Sequence, residues 1–181
     1  WKSNDRLCPH FHLPLQSGSD QILKKMRRRY SSEEFIQITS LIKKYFPQTS
    51  ITTDVIVGFP SEKEEDFENT LYTINKSNLN NLHVFPYSVR PKTTAFYLKD
   101  HNPPEVIKSR SRELNRISKL ITTKSMRNII GKKRSILWEG KNMNSGLTED
   151  YYRVIRKSVK LPNEYITKQK IKGLEKDKLY I

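Results

Sequence analysis

ITTDVIVGFPSEKEEDF, residues 51–67, decides how the first half of this chain folds. From 51 to 59 every position except Asp54 and Gly58 is β-branched or aromatic. Such a run forms a strand, and its near-continuity fits a strand covered on both faces. Gly58, Phe59 and Pro60 close it with a tight turn. Ser61 and Glu64 have the spacing of a capping box. Glu62, Glu64, Glu65 and Asp66 place negative charge at the positive end of a helix dipole. Phe67, Leu71 and Ile74 give that helix its apolar side.

The same pattern continues on both sides. Upstream, HFHLPLQSGSD (10–20) predicts a short strand over 11–15 and a helix over 18–28 with Ile22, Leu23 and Met26 on one face. Ser31 and Glu34 make a second capping box. Phe35, Ile38, Leu41, Ile42 and Phe46 then recur at helical spacing until Pro47. Downstream, Asn78 and Asn80 mark a turn before a third strand over 82–87. Strands alternating with helices on short loops imply right-handed βαβ units and a parallel sheet. Three parallel strands leave an open edge and an uncovered face. We therefore expect a piece of a larger barrel, and the start at Trp1, before a strand that reads as internal, fits that expectation.

The second half reads differently. A loop over 88–104 carries Pro91, Pro103 and Pro104. A long helix over 104–129 follows, with Ile107, Leu114, Ile117, Leu120 and Ile121 as its apolar stripe. Its other face bears Lys108, Arg110, Arg112, Arg116, Lys119, Lys124 and Arg127. After Gly131, short antiparallel strands are predicted over 135–139, 150–158 and 165–172. Turns fall at Gly140, at 144–146 and at Pro162 with Asn163. The expected organisation is an α/β part over 1–130 and a small all-β barrel of nucleic-acid-binding type over 131–181.

Charge supports that division. The 181 residues carry a formal net charge of +15. Residues 1–103 hold 14 Lys and Arg against 11 Asp and Glu, whereas residues 104–181 hold 20 against 8. The second half is suited to a polyanion. The single Cys8 excludes an internal disulfide framework and any metal site built on several thiolates of this chain. No apolar run is long enough to span a bilayer, so a soluble, cytoplasmic protein is expected, with no membrane partner.

In parallel α/β architectures ligands sit at the C-terminal ends of the strands. Here those ends offer Gln16 and Ser17, then Gly58 and Phe59, then Pro86, Tyr87 and Ser88. Amides and hydroxyls suit a ribose; a close backbone and an aromatic face suit an adenine. Singly, each is explained by a helix cap or a tight turn, but three at one rim point to a nucleoside pocket. Asp54, a carboxylate inside an apolar strand, must be hydrogen-bonded or paired. His10 and His12 share one strand face, a spacing that can bind a metal. With no third ligand evident, packing or substrate hydrogen bonds are favoured, and no metal site is expected. Arg27, Arg28 and Arg29 fit either a solvated helix end or phosphate contact. Arg153, Arg156, Lys157, Lys168, Lys170 and Lys172 recur on the late strands. Tyr151 and Tyr152 lie among them as candidate stacking platforms, although alternation puts at least one of the two in the core.

HFHLPLQSGSD, LKKMRRRYSSEEF (23–35), ITTDVIVGFPSEKEEDF and LHVFPYSVRP (82–91), with Thr93 and Ala95 close behind, resemble the second half of the radical S-adenosylmethionine methylthiotransferases. Residues 8–12 and 146–151 resemble the branch acting on threonylcarbamoyladenosine beside the tRNA anticodon, the MtaB type. The resemblance covers nearly the whole chain.

It implies the second half of a partial TIM-type barrel, followed by a TRAM β-barrel that binds RNA. It also implies S-adenosylmethionine and 4Fe–4S clusters as cofactors, tRNA as partner, and methylthio insertion at adenine C2. The cluster ligands would lie outside this chain, in an N-terminal part of the same protein, so this chain alone would be inactive. By the same resemblance Gln16 and Ser17 approach the ribose and methionine of the cofactor. Ile56, Val57 and Gly58 meet the adenine through backbone, and Phe85 to Tyr87 close its other side. Apart from the resemblance, Arg27 and Arg29 of the basic run are the candidate tRNA contacts. Ser61 stands where relatives often carry glycine. Three alternatives stand beside this reading: the isopentenyladenosine-specific relative, a non-catalytic RNA-binding protein, and a fragment of an aldolase-like barrel. The last would need a Schiff-base lysine, and the three early strands contain none.

Overall fold

The computed structural model describes Asn4 and residues 6–140, 142–157 and 164–181. The chain divides into two compact units. One comprises Phe11–Pro47 and Ile51–Lys119; the other is built around Leu120–Ile181, with Gln48–Ser50 and the chain up to His10.

In the first unit a parallel sheet runs in the order β1 (His10–His12), β2 (Ser50–Val57), β3 (Asn81–Pro86). β2 and β3 are in register from Thr52↔Asn81 to Val57↔Pro86. β1 is shorter than the expected strand over 11–15. Pro14 has no N–H to give, and the Leu15 N–H goes to the Thr53 hydroxyl at 2.9 Å instead of a backbone partner. Pairing resumes at Gln16↔Val55.

Ile51, Thr53, Val55 and Val57 are fully buried, as are Leu15, Ile22 and Leu114. The opposite face of β2 is more open: Asp54 and Ile56 are only partly buried. The expectation of a strand covered on both faces is thus corrected. β-branching made the run look uniform, but from Thr53 to Val57 its exposure alternates with the pleat.

Helix α1 spans Asp20–Lys25 and is capped by Ser19. Helix α2, Ser32–Tyr45, starts with both bonds of the Ser31–Glu34 capping box, while Ile38 and Leu41 of its expected apolar stripe stay exposed. Helix α3, Glu64–Lys76, starts later than the second box required. Ser61 has φ +66°, and its N–H goes to the Asp100 carbonyl. The carboxylate that reaches back is that of Asp66, which accepts the Lys63 N–H at 2.8 Å. Helix α4 spans Pro104–Arg127. Leu114 is its buried anchor, Leu120 is exposed, and Arg110, expected on the solvated face, is buried.

The second unit holds a mixed sheet in the order β7–β4–β5–β6–β9–β8. Its strands are β4 (Lys133–Glu139), β5 (Ser145–Thr148), β6 (Arg153–Ile155), β7 (Ile166–Lys170), β8 (Gly173–Glu175) and β9 (Lys178–Tyr180). Met126, Ile129, Ile136, Trp138, Tyr152, Val154, Ile171 and Leu179 form its core. Neighbours pair antiparallel except β6 with β9. β5 occupies part of the expected turn over 144–146. β8 and β9 were not expected, and among the described residues of the strand predicted over 150–158 only Arg153–Ile155 are extended into a ladder. The turn expected at Pro162 and Asn163 lies outside the described residues. The expected closed barrel is also corrected: among the described residues no ladder joins β7 to β8. The chain turns a corner between them, where Ile171 exchanges bonds with Gly131 and Lys132 while the Lys172 N–H goes to Tyr180.

Candidate functional site

Alternation sends every second side chain of the parallel sheet to its open face. Ile56, Phe85 and Tyr87 reach it and, with Gln16, line a cavity of about 550 Å³ at the C-terminal ends of the strands. Phe59, Arg90, Thr93 and Ala95 complete its wall from the loops. Gln16 has φ +65°, a left-handed backbone that costs a non-glycine residue free energy and is held here by bonds on both sides. Its N–H goes to Asp54 O and its C=O accepts from Ile56 N–H, each at 2.8 Å. Its side-chain oxygen accepts from Arg28 Nη2 at 3.2 Å. Phe59 and Tyr87 meet edge to face at 5.4 Å. The Tyr87 hydroxyl is buried with no hydrogen-bond partner among the described residues, an unmet polar atom beside the cavity.

Ser17, Val57 and Gly58 are not in the cavity wall. Ser17 is fully buried, and its Oγ accepts the Ser19 N–H at 3.2 Å. Val57 points into the core. Gly58 has φ +75°, and a Cβ there would lie 2.4 Å from Ile107 Cγ1, so its lack of a side chain serves the packing of α4 rather than a ligand. Its N–H is already given to the Glu62 carboxylate at 2.7 Å. Glu62 is buried and pairs with Arg110 Nη1 at 2.7 Å, while burial pushes its carboxyl above the usual range. Gly18 likewise serves packing: a Cβ would lie 2.5 Å from Thr70 Cα.

One layer nearer the N-terminal ends of the strands lie His12, Asp54 and His83. Asp54 and His83 are register partners, and His12 Nε2 stands 3.3 Å from Asp54 Oδ2. The third ligand missing from the sequence comes from β3. Two mid-strand polar residues, Asp54 and His83, were its only sequence signal.

The residues expected to bind RNA are scattered in role. Arg27 is exposed just past α1, and Arg29 borders a separate groove with Leu13, Tyr30 and Phe35. Tyr152 is 6% exposed in the core of the second unit, so it offers no stacking face and is withdrawn as a platform. Tyr151 is exposed and stacks on His10, with ring centroids 4.0 Å apart. Arg156 spends its guanidinium on the carbonyls of Asn142 and Met143. Arg153 pairs with Glu139, and Lys157 with Glu175. Lys168 and Lys170 are exposed on β7, where Lys170 lies directly opposite Lys133.

Residues 2–74 match the family described as Radical SAM superfamily. Over 131 residues, 72% of this chain, the sequence is 42% identical to tRNA-2-methylthio-N(6)-dimethylallyladenosine synthase 1 of Mycobacterium marinum. Over 154 residues, 84% of the chain, it is 38% identical to threonylcarbamoyladenosine tRNA methylthiotransferase MtaB of Thermotoga maritima. A dimethylallyladenosine synthase of Caldicellulosiruptor saccharolyticus is 36% identical over 91% of the chain. The chain spans 25% to 36% of these relatives' own lengths.

These likenesses imply S-adenosylmethionine and 4Fe–4S clusters. The cavity's volume, its amide, its aromatic pair and the unmet Tyr87 hydroxyl fit the nucleoside part of S-adenosylmethionine. A cluster does not fit: the sequence has one cysteine, and cluster ligation takes several thiolates. Among the described residues no helix is long and apolar enough to cross a membrane.

Proposed function

We propose that this chain is part of a radical S-adenosylmethionine tRNA methylthiotransferase, the second half of its partial barrel followed by a TRAM-type RNA-binding module. The cavity formed by Gln16, Ile56, Phe85 and Tyr87 carries this reading. Phe85, half exposed on the open face, offers a ring to the adenine. Gln16 and the Tyr87 hydroxyl offer hydrogen bonds to the ribose or the methionine carboxylate. Bound S-adenosylmethionine supplies the radical chemistry of sulfur insertion; this chain's residues bind and orient it. The modified base is threonylcarbamoyladenosine, on the strength of the resemblance at residues 8–12 and 146–151. Action on tRNA implies a cytoplasmic protein.

The basic face of the second unit is the proposed tRNA grip. Lys133 and Lys170 stand opposite each other, a like-charge pairing that destabilises a sheet unless it serves an anion. Exposed Lys168 extends that face.

Two measurements test this reading. Calorimetry of S-adenosylmethionine binding should show clear weakening by Phe85→Ala and none by Tyr45→Ala; equal affinity in both variants rejects the cavity. Titration of tRNA against the chain at several salt concentrations should give a steep slope. Lys168→Ala with Lys170→Ala should flatten it by about 1 to 2 log units of affinity per log unit of salt. An unchanged slope rejects the grip.

A further inference from the structure

We propose that His12, Asp54 and His83 form a binding site for a divalent transition ion of the Zn²⁺ or Co²⁺ class. The inference does not rest on the function proposed above. One ligand comes from each of the three parallel strands, all from the open face of the sheet. Their donor atoms lie within 4.8 Å of one another. Donors on one tetrahedral ion at about 2.0–2.1 Å stand roughly 3.4 Å apart, so a modest rotation of the exposed imidazoles closes the site. His12 Nε2 is already 3.3 Å from Asp54 Oδ2.

The His12 ring is also oriented. Its Nδ1 lies 3.0 Å from the Thr52 hydroxyl. When that hydroxyl accepts the Nδ1 proton, Nε2 carries the lone pair that a metal takes, the arrangement in which an outer hydrogen bond fixes a ligating imidazole. Two imidazoles and one carboxylate are the ligand set of borderline divalent ions, and they leave further coordination positions open. Asp54 also borders the large cavity, so those positions face it. A net charge of +15 disfavours diffuse cation binding, which makes any saturable uptake a property of specific ligands.

The test uses the untagged 181-residue chain, stripped with chelator. Titration with Co²⁺ should give visible d–d absorption that saturates at one ion per chain and is displaced by Zn²⁺. His83→Gln and Asp54→Asn should each abolish the band. Thr52→Val, which removes only the orienting hydroxyl, should weaken affinity by about ten-fold or more. His101→Gln should leave it unchanged. Absence of saturable binding by either ion in the wild type overturns the proposal. So does binding that survives both His83→Gln and Asp54→Asn, and so does binding that is lost only in His10→Gln, which would move the site to another histidine.

Discussion

Glu62 and Gly58 face each other across the turn that ends β2: the Glu62 carboxylate accepts the Gly58 N–H at 2.7 Å and holds Arg110 of α4 at the same time. Arg110 also reaches Glu64 at 2.9 Å and lies over the Phe67 ring. One buried carboxylate thus fixes the turn, the start of α3 and the seat of α4.

Arg110→Ala leaves that carboxylate buried without its cation. The expected loss is about 3–5 kcal/mol, read as a lowered denaturation midpoint. Glu62→Gln keeps an acceptor for Gly58 and should cost less.

The same carboxyl gives a pH signature. Burial raises its folded pKa above the ordinary 4.5. The folded state then binds more protons than the unfolded state, so the contribution of Glu62 is full below the ordinary value and is lost as pH rises through the raised one. Stability of the wild type relative to Glu62→Gln should therefore fall with rising pH in that window. Parallel stability–pH curves for the two proteins would contradict this.

Gly58→Ala meets two costs. The left-handed backbone adds roughly 1–2 kcal/mol, and the clash with Ile107 adds about 1–3 more. Adding Ile107→Ala should recover part of the second cost and none of the first, as a double-mutant cycle would show. The cavity itself should be untouched.

Ser61→Gly should stabilise the chain by up to about 1 kcal/mol. Ser61 sits at φ +66°, where glycine escapes the strain of a side chain and returns only part of the gain as unfolded-state freedom. A higher melting temperature is the expected readout.

In the second unit, Arg134 Nε and Asp150 Oδ2 pair at 2.8 Å with both side chains buried. Asp150→Ala should cost about 3–5 kcal/mol by stranding Arg134, whereas replacing both residues with apolar ones of similar volume should cost far less. Equal losses in the single and double variants would show that the pair, not the stranded charge, matters.

Local chemistry was legible in the sequence. The Ser31–Glu34 box forms because both partners lie within one turn and nothing competes for them. The same spacing at Ser61 and Glu64 fails because Ser61 is drawn to Asp100, a tertiary partner 39 residues away. At the site, strand parity decided the outcome. Ile56, Phe85 and Tyr87 share one parity and reach the cavity, while Val57 has the other and is buried; Gln16 bridges Val55, on the buried parity, and its left-handed backbone is what brings it to the cavity. His83 went unnoticed because its meeting with Asp54 depends on the register of β2 and β3, which no local pattern encodes. Gly146 read as a turn because glycine usually marks one. Here it lies within β5 because a Cβ would stand 2.6 Å from Ile136.

The segment between Gln16 and α1 has no regular secondary structure, yet Thr70 takes the Gly18 N–H, Thr73 gives its hydroxyl to the Gly18 carbonyl, and Ser19 bonds Asp66 at 2.5 Å. Side chains of α3 supply the partners that a neighbouring strand would otherwise supply. The Gly18 amide should therefore exchange its hydrogen as slowly as those of β2, despite lying in a loop. A ligand entering above Gln16 meets a floor that is already ordered. Little chain entropy is left for it to remove, so its affinity should depend on the groups it touches rather than on any folding it induces.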